Sequence, residues 1–458
     1  MERESVRFST SIILLTGMLG TIFTCLFFIK TEPHLPLFLC LVFLALFGTA
    51  KGTKWKDLEQ GIAGGIQNGI QPILILSLIG MLIAAWMFSG TIPTVIHFSL
   101  SVIEPQFLLL TGLICCMIVS ILVGSSFTTV STVGVALMGI AAASGIPLEW
   151  AAGAVICGAC FGDKMSPMSD TTNFAAGVAS VSIVEHIRHM SKTTIPAILI
   201  TVVIFFIMGR SLTINPAGSG EMQEIMRTIV STVTIGWFTL LSPIGVIILA
   251  VMRKPIIPTL IFGIATAGMT GIFSGNGEFG QFLGVLQNGT KFDISNEQAA
   301  SILNRGGLQS MMWSVSLIMI AFALGGLMDR LGVIRALMNG LIQKVKTRGQ
   351  LIASTAASSV SVNLATGEQY MSILIPGQSL KALYEKLNYP GRYMSRTLED
   401  AGTLVNPLIP WGVSGAFFAQ SLGVDVIQYL PFAFFLYLSP IFTIVFGFLP
   451  DRKEKLTA

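Results

Sequence analysis

The sequence predicts an all-α polytopic membrane protein built from two inverted repeats, with broken helices and re-entrant hairpins. Three observations carry this. The chain of 458 residues is 53% hydrophobic and only 11% charged, against about 25% charged in an ordinary soluble domain. Apolar runs recur almost end to end, at 12–29, 35–47, 73–88, 107–123, 195–208, 235–252, 311–328 and 430–449, each approaching the ~20 residues that a spanning helix needs. Charged and hydroxyl residues also cluster with proline inside this background. They are densest in Gly158-Ala-Cys-Phe-Gly-Asp163-Lys164-Met-Ser166-Pro167-Met-Ser169-Asp170-Thr171-Thr172-Asn173.

The charges orient the spans. Arg3 and Arg7 precede the first apolar run, and Lys51, Lys54 and Lys56 follow the second. The excess of Lys and Arg on cytoplasmic loops puts both on that face, together with Arg188, Lys192, Arg253, Lys254, the basic set from Arg330 to Arg348 and the tail Arg452-Lys453. Segments 210–228 and 272–308 are then external, and both termini cytoplasmic. The first run lacks a small-residue cleavage site and leads straight into a second, so a cleaved signal is not expected. The place expected for the chain is the inner, cytoplasmic membrane of a cell. A net charge of +4 is too small to argue for nucleic acid.

In chain order, 11–50 reads as two helices joined at Glu32-Pro33-His34, and the Gly-rich stretch 61–71 leads into a third span. An interfacial helix is expected within 91–105, followed by the span 107–123. The hydroxyl run Gly124-Ser125-Ser126-Phe127-Thr128-Thr129-Val130-Ser131-Thr132 then precedes 133–143, which is too short to cross a bilayer. A re-entrant hairpin with the run at its tip is expected. The stretch 150–161 is another short segment. Half-length helices of this kind mark substrate sites in secondary transporters.

The second half echoes the first: Gly69-Ile-Gln71 with Gly307-Leu-Gln309, Val95-Ile96 with Val333-Ile334, and Ser166-Pro167 with Asn406-Pro407. The first copy begins on the Lys-rich face and the second after an external segment, so the copies are expected to be inverted, with their polar breaks meeting near the midplane. The expected division is a helical pair (1–60), a first repeat (61–210), connecting helices and external loops (211–298), a second repeat (299–449) and a cytoplasmic tail (450–458).

Asp163, Lys164 and Asp170 are the leading candidates for chemistry. A helix cannot run cleanly through Pro167, and irregular backbone at membrane depth is tolerated where it lines a wet cavity. A charge at the bilayer centre costs about 2.5–3.5 kcal/mol even on mild scales. Carbonyls, hydroxyls and carboxylates are the oxygen ligands that hard cations take. One carboxylate for which H⁺ and Na⁺ compete is sufficient for exchange. Lys164 is either an ion-pair partner released on cation binding or a side chain snorkelling to the interface. Against all this stands an interfacial loop with solvated charges. Glu368, with Gln369 and Tyr370, is the expected carboxylate of the second repeat, the alternative being the end of a cytoplasmic loop. In Glu399-Asp400-Ala-Gly402-Thr403-Leu-Val-Asn406-Pro407, Thr403 and Asn406 offer neutral oxygens, while Glu399 and Asp400 could instead cap a helix. The hydroxyls Ser126, Thr128 and Thr129 line the site or bond back to helix carbonyls.

Cys157-Gly-Ala-Cys160 has CxxC spacing with no second Cys or His pair near it, and reads as helix-packing residues. His186 and His189 read as a solvated face. No P-loop is visible, and no nucleophile–base pair or metal cluster supports an enzyme. A passive channel would not need paired titrating carboxylates.

The segments Gly124-Ser-Ser-Phe-Thr-Thr, Thr132-Val-Gly-Val-Ala-Leu-Met-Gly-Ile-Ala, Phe161-Gly-Asp-Lys-Met-Ser-Pro-Met-Ser-Asp-Thr-Thr-Asn and Asn406-Pro-Leu-Ile-Pro-Trp resemble the NhaC family of Na⁺/H⁺ antiporters. The resemblance runs over most of the chain. It implies an inverted-repeat secondary transporter with elevator-like movement that exchanges Na⁺, with Li⁺ or K⁺ as variants, for H⁺. The family also contains an exchanger of malate with protons against lactate with Na⁺. Many antiporter members carry Asn-Thr after Pro-Trp, where this chain has Gly412-Val413-Ser414-Gly415, and Asp is more usual at Glu368. Both departures leave the cation open and favour a site that also holds an organic substrate, a small organic acid or an amino acid. The site expected for cation and proton is Asp163, Asp170, Thr172, Asn173, Glu368, Thr403 and Asn406, with Lys164, Ser166, Ser126, Thr128 and Thr129 in support. Asp163 and Asp170 are the expected Na⁺ ligands. No cofactor is expected beyond the transported Na⁺ and H⁺. The expected partners are those ions, a small organic anion, the lipid bilayer and a second copy in a homodimer.

Overall fold

The computed structural model describes residues 6–102, 104–212, 227–252, 254–296, 299–300, 303–342 and 345–449. Every regular element among them is helical. In order, α1 (Phe8–Phe23), α2 (His34–Ala50) and the Gly-rich α3 (Trp55–Asn68) lead to α4 (Ile70–Phe88), α5 (Thr91–Val102) and α6 (Leu108–Val123). Then follow α7 (Ser126–Ala143), α8 (Leu148–Met165), α9 (Asp170–Val178) and α10 (Ile183–Ser211). A connecting set comprises α11 (Leu241–Val251), α12 (Ile256–Phe273) and α13 (Phe279–Asn288). The last part runs α14 (Met312–Arg330), α15 (Val333–Ile342), α16 (Arg348–Thr366), α17 (Gln369–Lys386), α18 (Gly391–Leu398), α19 (Val413–Leu422) and α20 (Phe434–Phe448). Among the described residues six helices are long and apolar enough to cross a membrane, and the segment Val426–Phe432 joined to α20 at a 60° bend makes a seventh.

The two halves share local features along α4–α10 and α14–α20. Gly124 after α6 and Gly367 after α16 both take the left-handed conformation, φ +71° and +68°, which suits glycine at a helix C-terminus. The next residue caps the following helix in each case. The Ser125 side chain accepts from the Thr128 N–H and the Glu368 side chain from the Met371 N–H. Each half then has a break. The first spans 166–169, between α8 and α9. In the second, a π-turn (Glu399–Thr403) and a 3₁₀ turn (Asn406–Leu408) lie between α18 and α19.

Small residues set how closely helices approach. A Cβ on Gly158 would sit 2.3 Å from the Leu113 carbonyl oxygen, and one on Gly162 would sit 2.5 Å from that of Met117. Hence α8 lies backbone to backbone against α6, as small-xxx-small pairs allow in membranes. The glycines of α3 do the same against α14: a Cβ on Gly65 would meet the Phe322 carbonyl oxygen at 2.1 Å. Cys157 and Cys160 are buried free thiols on α8.

Four local expectations are corrected. His186 and His189 do not lie on a solvated face: both are buried, His186 Nδ1 lying 2.8 Å from the Ser395 hydroxyl and His189 edge-on to Tyr393. The hydroxyl run is not an irregular tip. It is helical from Ser126 onward, interrupted only by a π-turn (Val130–Gly134), and the reversal falls earlier, at Gly124. The hydroxyls of Thr129, Ser131 and Thr132 bond back to carbonyls three or four residues earlier, so polar side chains do not break the helix. Likewise α8 continues through Asp163 and Lys164 to Met165, because the proline that stops it lies beyond them. The expected external stretch 272–308 is not wholly a surface loop: the Gly307 N–H donates to the carbonyl of Gly80, part-way along α4 (2.7 Å). The expectations for Arg3, Arg253, the tail 450–458 and residues 213–226 fall outside the described residues.

Gly64 separates these glycines by role. A Cβ there would meet nothing within 4 Å. Gly64→Ala is therefore expected to stabilise the protein by about 0.5–1 kcal/mol through helix propensity, and Gly162→Leu to destabilise it by about 3 kcal/mol through overpacking. Midpoints of thermal unfolding in detergent, moving in opposite directions, check the pair.

Candidate cation and proton site

The expected carboxylates come together. Asp163, Asp170 and Glu368 line one cavity of about 460 Å³, with Ser125, Thr128 and Tyr370 as polar neighbours and Val413, Phe417 and Ile318 as apolar wall. Asp163 and Glu368 are buried, whereas Asp170 is exposed. Exposed Lys254 is in the lining as well.

Each carboxylate lies at the start of a helix. The Ser126 N–H and hydroxyl donate to Oδ2 of Asp163 (3.0 and 2.6 Å), so that carboxylate sits on the N-terminus of α7. The other oxygen, Oδ1, is buried with no hydrogen-bond partner. Glu368 Oε2 accepts from the Met371 N–H (2.7 Å) at the N-terminus of α17. Asp170 begins α9; its Oδ1 accepts from the Thr171 N–H (2.9 Å) and its Oδ2 from the hydroxyl of Tyr370. The positive ends of three helices therefore converge on three carboxylates, an arrangement that attracts negative charge to these positions.

Lys164, next to Asp163, points away into a different set. It forms an ion pair with Asp400 in which both side chains are wholly buried. The Ser439 hydroxyl bridges them, 2.9 Å from Lys164 Nζ and 2.7 Å from Asp400 Oδ1, and Asp400 Oδ2 accepts from Thr443 and Thr193. This pair belongs to the two breaks, α8 supplying the ammonium and the π-turn of the second half the carboxylate. Glu399, also buried, accepts at Oε1 from the Thr171 hydroxyl (3.2 Å).

The remaining expected residues brace the breaks and are not in the cavity lining. The Asn173 side chain donates to the Pro167 and Ser169 carbonyls, Ser166 to that of Ile121, and Thr172 to that of Lys164. Asn406 donates to Asn363 and to the Gly367 carbonyl and accepts from the Ser414 N–H. Thr129 donates to the Ser125 carbonyl, and Thr403 ends the π-turn that carries Glu399 and Asp400. The contacts of Asn173, Ser166, Thr172 and Asn406 share a physical reason: a broken helix leaves backbone groups without partners, and nearby amides and hydroxyls are taken up by them. Gly412 and Gly415 serve the same break, since a Cβ on Gly415 would be 2.1 Å from the Ile409 carbonyl oxygen. Sequence reasoning gave Asp400 and Glu399 a helix-capping alternative and assigned Tyr370 no part. The polar motif around Asn406-Pro407 was their signal.

A helical membrane protein with paired broken segments and clustered carboxylates in a central cavity is, by class, a secondary transporter. The Na⁺/H⁺ antiporter family profile matches residues 158–449. The chain is 56% identical to a Na⁺/H⁺ antiporter NhaC of Bacillus subtilis over 448 residues, 98% of this chain and 99% of that one. It is 53% identical to a Na⁺/H⁺ antiporter NhaC of Alkalihalophilus pseudofirmus over 96% of this chain and 95% of that one. A malate-2H⁺/Na⁺-lactate antiporter of Bacillus subtilis is 31% identical over 95% of this chain and 93% of its own. The chain belongs to the Na⁺/H⁺ antiporter family.

Removing one member of a buried pair leaves the other charge uncompensated, which costs about 3–5 kcal/mol. Lys164→Met is expected to lower stability by that order, and Lys164→Met with Asp400→Leu to recover most of it. Thermal unfolding of the three proteins in detergent reads this directly.

Proposed function

We propose that the chain is a secondary active antiporter that exchanges Na⁺ for H⁺ across the cytoplasmic membrane. The observation that carries this is Asp163, a buried carboxylate whose Oδ2 is held at the start of α7 and which lines a cavity shared with Asp170 and Glu368. A bare carboxylate away from bulk water is costly, so it holds either a cation or a proton. Mutual exclusion of Na⁺ and H⁺ within this one cluster of carboxylates couples the two fluxes. Asp163 and Asp170 bind Na⁺ through carboxylate oxygens, Thr128 offers a hydroxyl in the same lining, and Glu368 takes the proton. The matching glycine turns and capping residues of the two halves, at Gly124-Ser125 and Gly367-Glu368, support the inverted-repeat reading. The charge distribution supports cytoplasmic termini.

A second reading has its own support. The cavity is in the size range of small-molecule pockets (about 300–1,000 Å³), larger than one ion needs, and its wall includes Val413 and Phe417. This favours Na⁺- and H⁺-coupled exchange of a small organic acid or amino acid, in line with the printed name of the malate and lactate relative.

Purified protein in proteoliposomes separates the two. Internal pH is followed after addition of Na⁺, with and without malate, lactate or amino acids. Na⁺-driven proton flux without organic solute, reduced to the level of protein-free vesicles in Asp163→Asn, is the expected result. Flux that appears only with an organic solute would replace the first reading by the second.

A further inference from the structure

Glu368 borders two cavities. The first is the one shared with Asp163 and Asp170. The second, of about 300 Å³, lies between α3 and α14 and is lined by Gly64, Gly65, Gly325, Asp329, Arg330 and Glu368, among others. Asn68 also borders both. At about 30 Å³ per molecule of liquid water, the second cavity has room for a short file of waters. Asp329 is exposed, and Arg330 is held by the carboxylate of Asp57 (2.7 Å) and by Gln60 (3.2 Å). Lys51, Lys54 and Lys56 lie just before this polar end in the chain, and the basic excess marks it as the cytoplasmic face.

The space exists because three glycines let α3 and α14 cross at backbone distance while a fourth leaves a gap. Gly61, Gly65 and Gly326 are in contact across the pair, whereas a Cβ on Gly64 would meet nothing within 4 Å. We propose that this second cavity is a separate aqueous route by which Glu368 exchanges its proton with the cytoplasm, while the cation reaches Asp163 and Asp170 through the first. The inference rests on the Na⁺/H⁺ reading above and assigns its two ions different paths.

The charges facing Glu368 make the division workable. On the first cavity these are Asp163 and Asp170, with Lys254; on the second they are Asp329 and the Arg330–Asp57 pair. A cation arriving between Asp163 and Asp170 adds positive charge across the cavity from Glu368 and favours its ionised form. The proton so released has an exit that does not cross the incoming cation. A single route would force the two to pass each other where charge repulsion is strongest.

Gly64→Cys tests this, since the open space at Gly64 admits a side chain. In proteoliposomes, two fluxes are measured before and after a charged, membrane-impermeant methanethiosulfonate reagent: Na⁺-driven proton flux, and exchange of radioactive Na⁺ for Na⁺. The unsubstituted protein, treated alike, sets the baseline for its own cysteines. Modification is expected to cut proton flux to background, leave Na⁺ for Na⁺ exchange intact, and be reversed by reductant. Reversal distinguishes a blocked route from a misfolded protein. An unreactive introduced thiol, unchanged proton flux after full modification, or equal loss of both fluxes would overturn the proposal. Absence of Na⁺-driven proton flux in the unsubstituted, untreated protein would instead remove the exchange reading, and this inference with it.

Discussion

The ion pair between Lys164 and Asp400 is the constraint on which the rest of the site depends. Neither side chain reaches solvent, and two uncompensated charges at this depth would be among the most costly features a membrane protein could hold. Pairing them fixes the end of α8 against the π-turn of the second half. That contact sets the relation between the two broken segments, which are distant in sequence. Ser439, Thr443 and Thr193 supply the further hydrogen bonds that such a pair requires.

With Lys164 committed to Asp400, Asp163 has no ammonium in its own hydrogen-bond set. Its charge is met instead by backbone and hydroxyl donors of Ser126. Adjacent residues on one helix thus have opposite fates. The lysine is neutralised by a carboxylate, and the aspartate is met only by donors at the start of a helix. A fully paired carboxylate could not transport, and an isolated one could not be folded into the membrane. Helix N-termini supply the intermediate condition, because partial charges from N–H groups attract an anion without occupying all of its lone pairs.

Glycine plays two distinct parts. At Gly124 and Gly367 it provides the left-handed turn that reverses the chain before each capping residue. At Gly158, Gly162 and Gly65 it provides proximity, since a side chain would strike a carbonyl of the neighbouring helix. The cavities are what remain between helices placed in this way, and their polar lining comes from the helix ends that the turns bring to membrane depth.

Sequence alone is enough to read the class of fold, the approximate spans and the two polar breaks, and it singles out the three carboxylates Asp163, Asp170 and Glu368 that line one cavity. Apolar run length is a local property, and a carboxylate within such a run is informative wherever it occurs. It did not determine where helices stop at residue level: hydroxyls of Thr129, Ser131 and Thr132 satisfied within the helix look the same in sequence as hydroxyls in a loop. Nor did it show how the neutral candidates are engaged. Thr172, Asn173 and Asn406 have the chemistry of cation ligands, and only packing shows that broken-helix backbone engages them first. The pairing of Lys164 with Asp400, the contact of Tyr370 with Asp170 and the second cavity beside Glu368 were decided by tertiary structure alone. Each depends on which helix faces which, and that follows from close glycine contacts and buried charge between segments far apart in the chain.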